Sequence, residues 1–386
     1  MTNVISNILG VIHPKDFLKK YWQKKPCVIR QALPAYQCPI SPEELAGLAC
    51  EDGVEARLVI KKSGKHDWQV QYGPLAETDF RSLPETHWTL LVQGVEQYHK
   101  EISALFRHFN FVPNWRIDDV MISYATKHGG VGPHLDSYDV FLLQGMGRRR
   151  WQINHSAYTE KDFIPGLELR IIDNFCAEQE WVLEPGDMLY LPPGVAHNGI
   201  APGPCMTLSI GFLSPSRSEL VSNFIDEVVS GAALDTRFAD ADRHVPKHAG
   251  EISKTDLNRI TAMMRSSLAD KTLLQEWFGK YITRGKGAHP AAGKTLAGKK
   301  KFADQFQKKK IIYRRDGVRT AFLRHRDRLT LCIEGESMAL APDYLPLVLL
   351  ITEQPAIRDQ DLERQPRRAA FIRLLAELYR RDIYHF

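Results

Sequence analysis

The sequence predicts a mainly β domain, built as a barrel or a sandwich, followed by a helical block and a small α+β module. Three observations support this fold class. Residues 1 to about 214 consist largely of short apolar runs between Gly and Pro turns; apolar residues then recur at helical spacing; strand-like and helix-like runs return beyond a Lys-rich stretch. A length of 386 residues suffices for two or three domains.

The first part contains predicted strands without intervening helices, which favours a barrel or a sandwich over a parallel sheet. Near its start, PKDFLKKYWQKK has the pattern of an amphipathic helix, and the following PCVIRQ is typical of extended chain. The predicted strands are, in chain order, ARLVIKK, DWQVQYG, DVMISYA, YDVFLLQG, RRRWQIN, MLYLPPG and MTLSIGF.

A helical block of about 70 residues follows Ser214. SPSRSELVSNFIDEVVSG and SKTDLNRITAMMRSSLADKTLLQEWFGKYIT both carry apolar residues at helical spacing, and either Ser253 or Thr255 is placed to cap the second run. These helices have little chain of their own to pack against, so a second subunit is the expected partner. The apolar positions are Leu220, Phe224, Ile225, Val228, Leu257, Ile260, Met264 and Leu268.

The remainder begins with RGKGAHPAAGKTLAGKKKFADQFQKKK, whose Gly, Ala and Lys content predicts a linker. KIIYRRD, TAFLRHR and RLTLCIEG then alternate as strands do, and ALAPDYLPLVLLITEQ and RAAFIRLLAELYRRD have helical patterns. The sequence therefore predicts a small α+β module at the C-terminal end.

Charge is unevenly distributed along the chain. Residues 280–328 contain 16 Lys and Arg against 3 Asp and Glu, so the rest of the chain has 35 basic and 43 acidic residues, a net charge of −8. An acidic body indicates a basic partner. The basic segment either contacts RNA or is a solvated linker, and the sequence leaves both interpretations open.

The cysteines and the apolar runs bear on the compartment. Six scattered cysteines form no C-x-x-C pair, which argues against a disulfide framework or a cysteine zinc site and favours the cytoplasm. No apolar run approaches the ~18 residues of a membrane span, so we expect no membrane association. MTNVISNILGVIHPKDF has neither a basic leader nor a cleavage site, and we expect no signal peptide.

A candidate metal site follows from two separate stretches. In VGPHLDSYDVFLLQG, His134 and Asp136 are two apart in extended chain and project to the same side. EPGDMLYLPPGVAHNG ends in His197, and its pattern G-x5-P-x-G-x2-H is the second cupin motif. Two histidines and a carboxylate leave metal positions open, as in the facial triad of Fe(II) oxygenases, whereas structural zinc takes four protein ligands. The ligands alone leave Mn, Ni and Zn open.

The three arginines after the apolar strand indicate a co-substrate. A facial-triad iron that activates O2 usually needs a two-electron donor, and the far carboxylate of 2-oxoglutarate requires a buried cation, for which Arg is well shaped. Strand alternation turns either Arg149 or both Arg148 and Arg150 inward. Hydroxyls that complete such a pocket are offered by three residues on facing strands: Ser123, Thr207 and Ser209.

With these motifs, the chain resembles the JmjC-type 2-oxoglutarate oxygenases, and in particular the bacterial ribosomal oxygenases. The resemblance covers nearly the whole length and rests on DFLKKYWQKKPCVIR, WRIDDVMISYA, GGVGPHLDSYDVFLLQGMGRRRW, LEPGDMLYLPPGVAHNG and SIGF. It implies a double-stranded β-helix catalytic domain of the cupin/JmjC jelly-roll type over 1–214 and a helical dimerisation region over 215–284. A basic linker over 285–310 and a winged-helix-like domain over 311–386 complete the expected organisation. GKKKFADQFQKKK matches no motif of the family.

The resemblance also implies roles and cofactors. It implies Fe(II) at His134, Asp136 and His197, with 2-oxoglutarate and O2 as co-substrates. The family's basic residue in G-x-[K/R]-x-W falls on Arg149, and Ser123 and the strand at Thr207 to Ser209 match further co-substrate contacts. Bacterial members with this pattern hydroxylate the β-carbon of an arginine in a large-subunit ribosomal protein, the sixteenth by number, and related eukaryotic members act on a ribosomal histidine.

The predicted function is therefore that of a 2-oxoglutarate- and Fe(II)-dependent protein arginine hydroxylase. Candidate contacts for a substrate guanidinium, which needs carboxylate or aromatic partners, flank the metal strand and are Asp118, Asp119, Tyr138 and Asp139. Three alternatives stay open: a histidyl hydroxylase, a lysine demethylase with the same iron chemistry, and a non-catalytic ribosome- or RNA-binding protein with a structural metal. Other cupin enzymes usually combine H-x-H with Glu, and Asp136 argues against them.

Overall fold

The computed structural model describes residues 7–62, 64, 66–230, 236–245, 247–285, 298–363 and 365–386, with only the backbone of residues 298–301. The chain divides into two compact units. One comprises Met1–Ser214, Lys286–Val318 and Glu353–Phe386, and the other comprises Pro215–Gly285 and Arg319–Thr352. Residues 311–386 contribute to both units, and the domain boundaries given above stay predictions. Within the described ranges, no helix has the length and apolar character needed to span a membrane.

Two antiparallel sheets form the β part of the first unit. The larger has eight strands in the order β1-β9-β6-β11-β5-β4-β2-β3, and the smaller has the order β10-β7-β8. The strands are β1 (Cys27–Ile29), β2 (Ala56–Lys61), β3 (Trp68–Tyr72), β4 (Trp88–Val92), β5 (Ile117–Ala125), β6 (Val140–Met146), β7 (Arg149–Asn154), β8 (Gln179–Leu183), β9 (Met188–Leu191), β10 (Ala196–Ile200) and β11 (Cys205–Phe212).

Short helices cover the outer face of the large sheet: α1 (Pro14–Lys20), α2 (Pro42–Ala49), α3 (Glu77–Arg81) and α4 (Lys100–Ala104). Pro14 begins α1, and Phe17 on this helix is fully buried, with its ring 5.0 Å from that of Tyr190 and 5.6 Å from that of Phe141. Burial of such a side chain contributes about 1.5–3 kcal/mol. The aromatic contacts therefore fix the N-terminal helix on the sheet.

Residue alternation along β11 separates the hydrophobic core from a cavity. The whole strand is buried. Leu208 and Ile210 belong to the main core cluster, which also contains Phe17. Ser209 and Gly211 point to the opposite side and line a cavity together with residues of the small sheet. The position of the cavity therefore follows from the two-residue period of the strand.

The remaining elements are α5 (Arg217–Ser230), α6 (Lys254–Leu268), α7 (Lys271–Ile282), α8 (Gly298–Lys309), β12 (Ile311–Arg314), β13 (Thr320–Arg324), β14 (Leu329–Ile333), β15 (Glu336–Leu340), α9 (Leu345–Glu353), β16 (Ala356–Arg358), α10 (Asp359–Glu363), α11 (Arg368–Arg380) and β17 (Tyr384–His385). Ser253 caps α6 by accepting from the Asp256 N–H. Asp270 accepts from the Thr272 and Leu273 N–H groups and begins α7, so the long predicted helix is two helices.

The second half of the predicted linker, residues 285–310, is a helix. On α8, Phe302 and Phe306 lie four residues apart and are buried, and the Phe302 ring is 5.3 Å from that of Tyr379 on α11. The prediction was wrong here because two apolar residues at helical spacing were outweighed by the Lys-rich composition. Residues 286–297 lie outside the described residues.

The predicted fold class is confirmed, with a mainly β jelly-roll part, a helical region and C-terminal strands and helices. Of the strands β1 to β11, the sequence prediction missed β4, β8 and β10. WTLLV in β4 is almost wholly buried and so lacks the alternation of a strand with one solvent-exposed face. A run of that kind cannot be assigned to a strand by periodicity alone.

Candidate active site

His134, Asp136 and His197 lie together at one end of the small sheet. The His134 N–H donates to the His197 carbonyl (3.0 Å) and the His197 N–H donates back to the His134 carbonyl (2.8 Å), so the two ligand segments are paired backbones. Asp136 Oδ2 is 3.7 Å from His197 Nε2, and Asp136 Oδ1 is 4.0 Å from His134 Nε2. Within the part of the chain that the structure describes, candidate ligand atoms of these three residues lie within 4.8 Å of one another.

The hydrogen bonds of the imidazoles orient both rings for a metal. Nδ1 of His134 lies 3.0 Å from the Gly132 carbonyl oxygen, and Nδ1 of His197 lies 3.0 Å from that of Val195. A carbonyl oxygen only accepts, which assigns the proton to Nδ1 and leaves the Nε2 lone pair for a ligand. Burial, and next the neighbouring His134, lower the pKa of His197 to about 4, so this ring is neutral at pH 7. The donor set fits Fe(II).

Arg149 is a buried cation in the same cavity. It is 3% exposed, whereas Arg148 and Arg150 on either side of it are exposed. Its Nη1 donates to Ser123 Oγ (3.1 Å) and its Nη2 to the Gly199 carbonyl (3.2 Å), while its buried Nε has no partner. Burial lowers the pKa of Arg149, but a guanidinium keeps its charge in proteins. A carboxylate ligand would satisfy the free donor and the charge.

Gly199 makes room for this guanidinium. A Cβ atom there would lie 2.7 Å from the Trp151 ring and 2.8 Å from Arg149 Nε. The Arg149 guanidinium carbon lies 5.2 Å from the centre of the Trp151 ring, and Trp151 is 5% exposed. Glycine at 199 thus lets a cation and an aromatic ring fill the space beside β10.

The cavity has a volume of about 450 Å³ and lies between the two sheets. It brings together most of the site residues that the sequence predicted. Those that line it are Asp119, Ser123, His134, Asp136, Tyr138, Arg149, His197 and Ser209.

Three predicted site residues do not line the cavity. The hydroxyl of Thr207 donates to Gln144 Oε1 (3.1 Å) on the neighbouring strand β6. Asp118 and Asp119 are consecutive in β5, so they face opposite sides and only Asp119 reaches the cavity. The positions of Thr207 and Asp118 therefore do not support the predicted contacts of Thr207 with the co-substrate and of Asp118 with the substrate.

Asp139, the third, is a structural carboxylate in this fold. It is 0% exposed and accepts hydrogen bonds from the Tyr190 hydroxyl (2.6 Å), from Gln23 Nε2 (2.9 Å) and from Arg116 Nη2 (3.3 Å). With three donors on its two oxygens, it is not available to a substrate guanidinium. Its neighbour Tyr138 faces the cavity instead.

Sequence reasoning missed several cavity residues on the outer strands of the large sheet. Arg57 on β2 pairs in register with Tyr72 on β3 and Leu91 on β4, and all three line the cavity, as does Gln93. The buried Oε1 of Gln93 has no hydrogen-bond partner. Residue parity within each strand was visible in the sequence, but the order and register of the strands were not.

Comparisons with known proteins agree with this geometry. A family model described as the JmjC domain matches residues 104–220. The ribosomal protein uL16 3-hydroxylase of Escherichia coli (strain K12) is 41% identical over 271 residues, which are 70% of this chain and 71% of that protein. A probable ribosomal oxygenase of Haemophilus influenzae is 44% identical over 221 residues, 57% of this chain and 53% of that protein. The crystallised ribosomal oxygenase YcfD of Escherichia coli, in complex with cobalt and 2-oxoglutarate, is similar in structure, with a TM-score of 0.84 at 34% identity over 97% of this chain and 98% of that chain.

Proposed function

This chain belongs to the JmjC-type ribosomal oxygenases, and on that premise we propose that it hydroxylates an arginine of a large-subunit ribosomal protein at the β-carbon. It is a 2-oxoglutarate-dependent oxygenase that uses Fe(II) and O2. Because its relative from Escherichia coli is named for uL16, uL16 is the candidate substrate. The observation that carries the proposal is one cavity that contains both the His134, Asp136 and His197 cluster and the buried Arg149.

Different residues bind the metal, the co-substrate and the substrate. His134, Asp136 and His197 hold Fe(II), and Arg149 with Ser123 holds the far carboxylate of 2-oxoglutarate. Bound Fe(II), with 2-oxoglutarate and O2, supplies the oxidising power that converts a substrate C–H to C–OH and releases succinate and CO2. The chain positions that C–H bond in a cavity whose lining includes the apolar side chains of Leu91, Met121 and Leu142.

An arginine substrate fits the charge of the substrate side of the cavity. Asp119 is 7% exposed and lies close to Gly211, where a Cβ atom would be 3.3 Å from Asp119 Oδ1. Tyr138 faces the same space and is 42% exposed. A guanidinium, which keeps its charge, needs a carboxylate or an aromatic ring as partner, and this side offers both.

The test uses two peptides of uL16 that differ only by Arg→His at the target position, with Fe(II), 2-oxoglutarate and O2. Mass spectrometry is expected to find the mass of one oxygen atom added to the arginine peptide, with matching succinate release. Preferential modification of the histidine peptide would make the chain a histidyl hydroxylase. Modification of neither, with turnover on methylated lysine, would make it a demethylase, and no turnover at all would favour a binding protein.

The proposal extends to the other regions. Residues 1–214 form the catalytic domain, 215–284 the dimerisation region and 311–386 a winged-helix-like domain of a cytoplasmic homodimer. Support for the dimer comes from exposed apolar side chains on α5 and α6: Val221, Ile225, Val229, Leu257, Ile260, Met264 and Leu268.

The basic segment contacts ribosomal RNA under the same proposal. Lys308 and Lys309 at the end of α8 are exposed, and lysine ammonium groups suit phosphate oxygens. Such contacts would weaken with salt, whereas hydroxylation of an isolated peptide would not depend on them. Binding of the full chain to ribosomes and to a peptide at increasing salt distinguishes the two contributions.

A further inference from the structure

Arg57, on β2, lines the cavity, and its guanidinium forms no hydrogen bond or ion pair with any residue of the described ranges. Its neighbours in register are Tyr72 on β3 and Leu91 on β4, and Asp119 and Tyr138 line the cavity with it. The side chain is half-buried. A guanidinium has five N–H donors, and leaving them without acceptors in a partly desolvated site is unfavourable.

The other arginines that line the cavity are already engaged. Arg149 is hydrogen-bonded within the protein, and its free Nε fits the co-substrate carboxylate. Arg170 donates twice to Glu160, at 3.0 and 2.8 Å. Of the cavity arginines in the described chain, Arg57 is therefore the one left for a ligand other than the co-substrate.

Charged side chains of both signs line the cavity together with Tyr138: Arg57 is basic, and Asp119 and Asp136 are acidic. The substrate side of the cavity has a negative part at Asp119 and a positive part at Arg57.

We propose that Arg57 binds a planar oxygen group of the substrate segment, either a carboxylate side chain or a main-chain carbonyl, beside the target arginine. This inference rests on the proposed function and deepens it, since it makes the substrate site dipolar. The parallel N–H donors of a guanidinium match such oxygen groups. Because like charges repel, Arg57 also disfavours the reversed orientation, in which the target guanidinium would lie beside it.

The experiment compares wild type with Arg57→Gln and Arg57→Lys, as full-length protein with Fe(II), 2-oxoglutarate and a uL16 peptide. Arg57→Gln is expected to raise the KM for the peptide by about tenfold to hundredfold, the range of a lost charge-assisted hydrogen bond. Arg57→Lys is expected to recover part of this loss, because it keeps the charge and loses the planar fork. The KM for 2-oxoglutarate, measured in parallel, is expected to change far less than the KM for the peptide.

Peptide variants identify the source of the oxygen group. Each Asp or Glu of the peptide is replaced in turn by Asn or Gln. If one replacement weakens wild type but not Arg57→Gln, that carboxylate is the partner, because the two changes remove the same contact. If no replacement matters while Arg57→Gln stays weak, the partner is a main-chain carbonyl.

Arg81→Gln is the matched control, because Arg81 on α3 is 77% exposed, pairs with Glu77 and does not line the cavity. Its KM values are expected to equal those of wild type. An Arg57→Gln protein that melts as wild type does and keeps the wild-type KM for the peptide would overturn the inference and leave the proposed function standing. Absence of hydroxylation by wild type would overturn the proposed function, and the inference with it.

Discussion

A guanidinium buried without a carboxylate is unfavourable, and Arg149 is such a group in this fold. The hydroxyl of Ser123 and the carbonyl of Gly199 stabilise it in part, and Trp151 lies against its face. None of these three contacts neutralises the charge. The arrangement suits a binding site for an anionic group, such as the far carboxylate of the co-substrate.

Replacement of Arg149 by Ala is therefore expected to raise the KM for 2-oxoglutarate by about tenfold to hundredfold, since a charge-assisted pair contributes roughly 1.5–3 kcal/mol. Arg150→Ala is the matched control, because Arg150 is the next residue of β7 and is exposed. Its KM is expected to stay at the wild-type value. Succinate release at varied 2-oxoglutarate concentration measures both, and equal effects of the two substitutions would refute the assignment.

Asp136→Ala is expected to abolish turnover and to weaken binding of Fe(II) and of Co(II), with little loss of stability. Removal of one of three ligands leaves two imidazoles, which bind divalent metals much more weakly. Calorimetric titration with Co(II) alone gives a readout independent of turnover, and thermal melting reports on the fold. Asp52→Ala, at an exposed turn position, is the control. Normal Co(II) affinity in Asp136→Ala would contradict the site.

Site residues could be predicted from the sequence where residues close to them in the chain determine their position. His134 and Asp136 are two apart, and the alternation around Arg149 left two possibilities, which packing decided. Arg57 and Asp139 depended on tertiary structure. Arg57 lines the cavity only because β2 lies beside β4 in the sheet. Asp139 cannot bind the substrate because its carboxylate already accepts hydrogen bonds from Tyr190 and two other donors.

At the scale of elements, the second cupin motif has two parts: Gly186 and Asp187 form a turn of the fold, and His197 belongs to the metal cluster. Gly186 has φ +88°, and a Cβ atom there would lie 2.3 Å from the Leu33 carbonyl oxygen. Asp187 accepts from the N–H groups of Gln31 (2.9 Å) and Glu184 (3.1 Å) and from Arg30 Nη1 (2.6 Å). This turn therefore ties the end of β1 to the start of β9, and His197 is the part of the motif that belongs to the metal cluster.

Asp187→Asn is expected to lower the free energy of unfolding by about 1–3 kcal/mol at pH 7, because charged acceptors are replaced by a neutral amide in a site that is 3% exposed. Burial alone would raise the pKa of Asp187, but the hydrogen bonds and Arg30 outweigh it and lower the pKa. The folded-state pKa is thus below the unfolded value of ~3.9. The contribution is complete above that value and is lost as the pH falls through the folded pKa.

Urea unfolding at pH 7 and at decreasing pH measures this effect, and the difference between wild type and Asp187→Asn is expected to shrink in acid. Asp52→Asn is a control of the same chemistry at an exposed position. A difference that stays constant down to the lowest pH would show that the carboxylate charge does not contribute.

Strand and helix patterns predicted most elements, and two of the elements that they missed, β4 and α8, share a cause. β4 and α8 were missed because their apolar residues are buried by chain segments that are distant in sequence, here β2 and α11. The local composition predicted a solvated linker for this segment, whereas it forms helix α8 because Phe302 and Phe306 are buried. Tertiary burial thus overrode the composition of the segment.

At the scale of the whole molecule, charge and apolar surface are segregated along the chain. The segment 280–328 is strongly basic and the remainder is acidic, which suits a ribosomal partner made of basic protein and RNA. Seven exposed apolar side chains lie on α5 and α6. The basic segment and the apolar side chains of α5 and α6 suit different partners, so their contributions to ribosome binding and to dimer formation can be tested separately.

The apolar stripe of α6 predicts a second copy of the chain. Leu257, Ile260, Met264 and Leu268 are between 41% and 59% exposed, and α6 has no buried residue in its described length. At about 100° per residue, these four positions share one face. An exposed stripe of this kind is unfavourable in water and typical of an interface between subunits.

Leu257→Glu with Met264→Glu is therefore expected to convert a dimer into a monomer, because two carboxylates would be buried on each side of the interface. Thr255→Glu with Ala262→Glu adds the same charge to exposed positions on the opposite face of the same helix and is expected to leave the dimer intact. Light scattering at micromolar concentration measures the mass of each. A monomeric wild type would remove the dimer from the proposal, and a dimer that survives the first pair of substitutions would remove α6 from its interface.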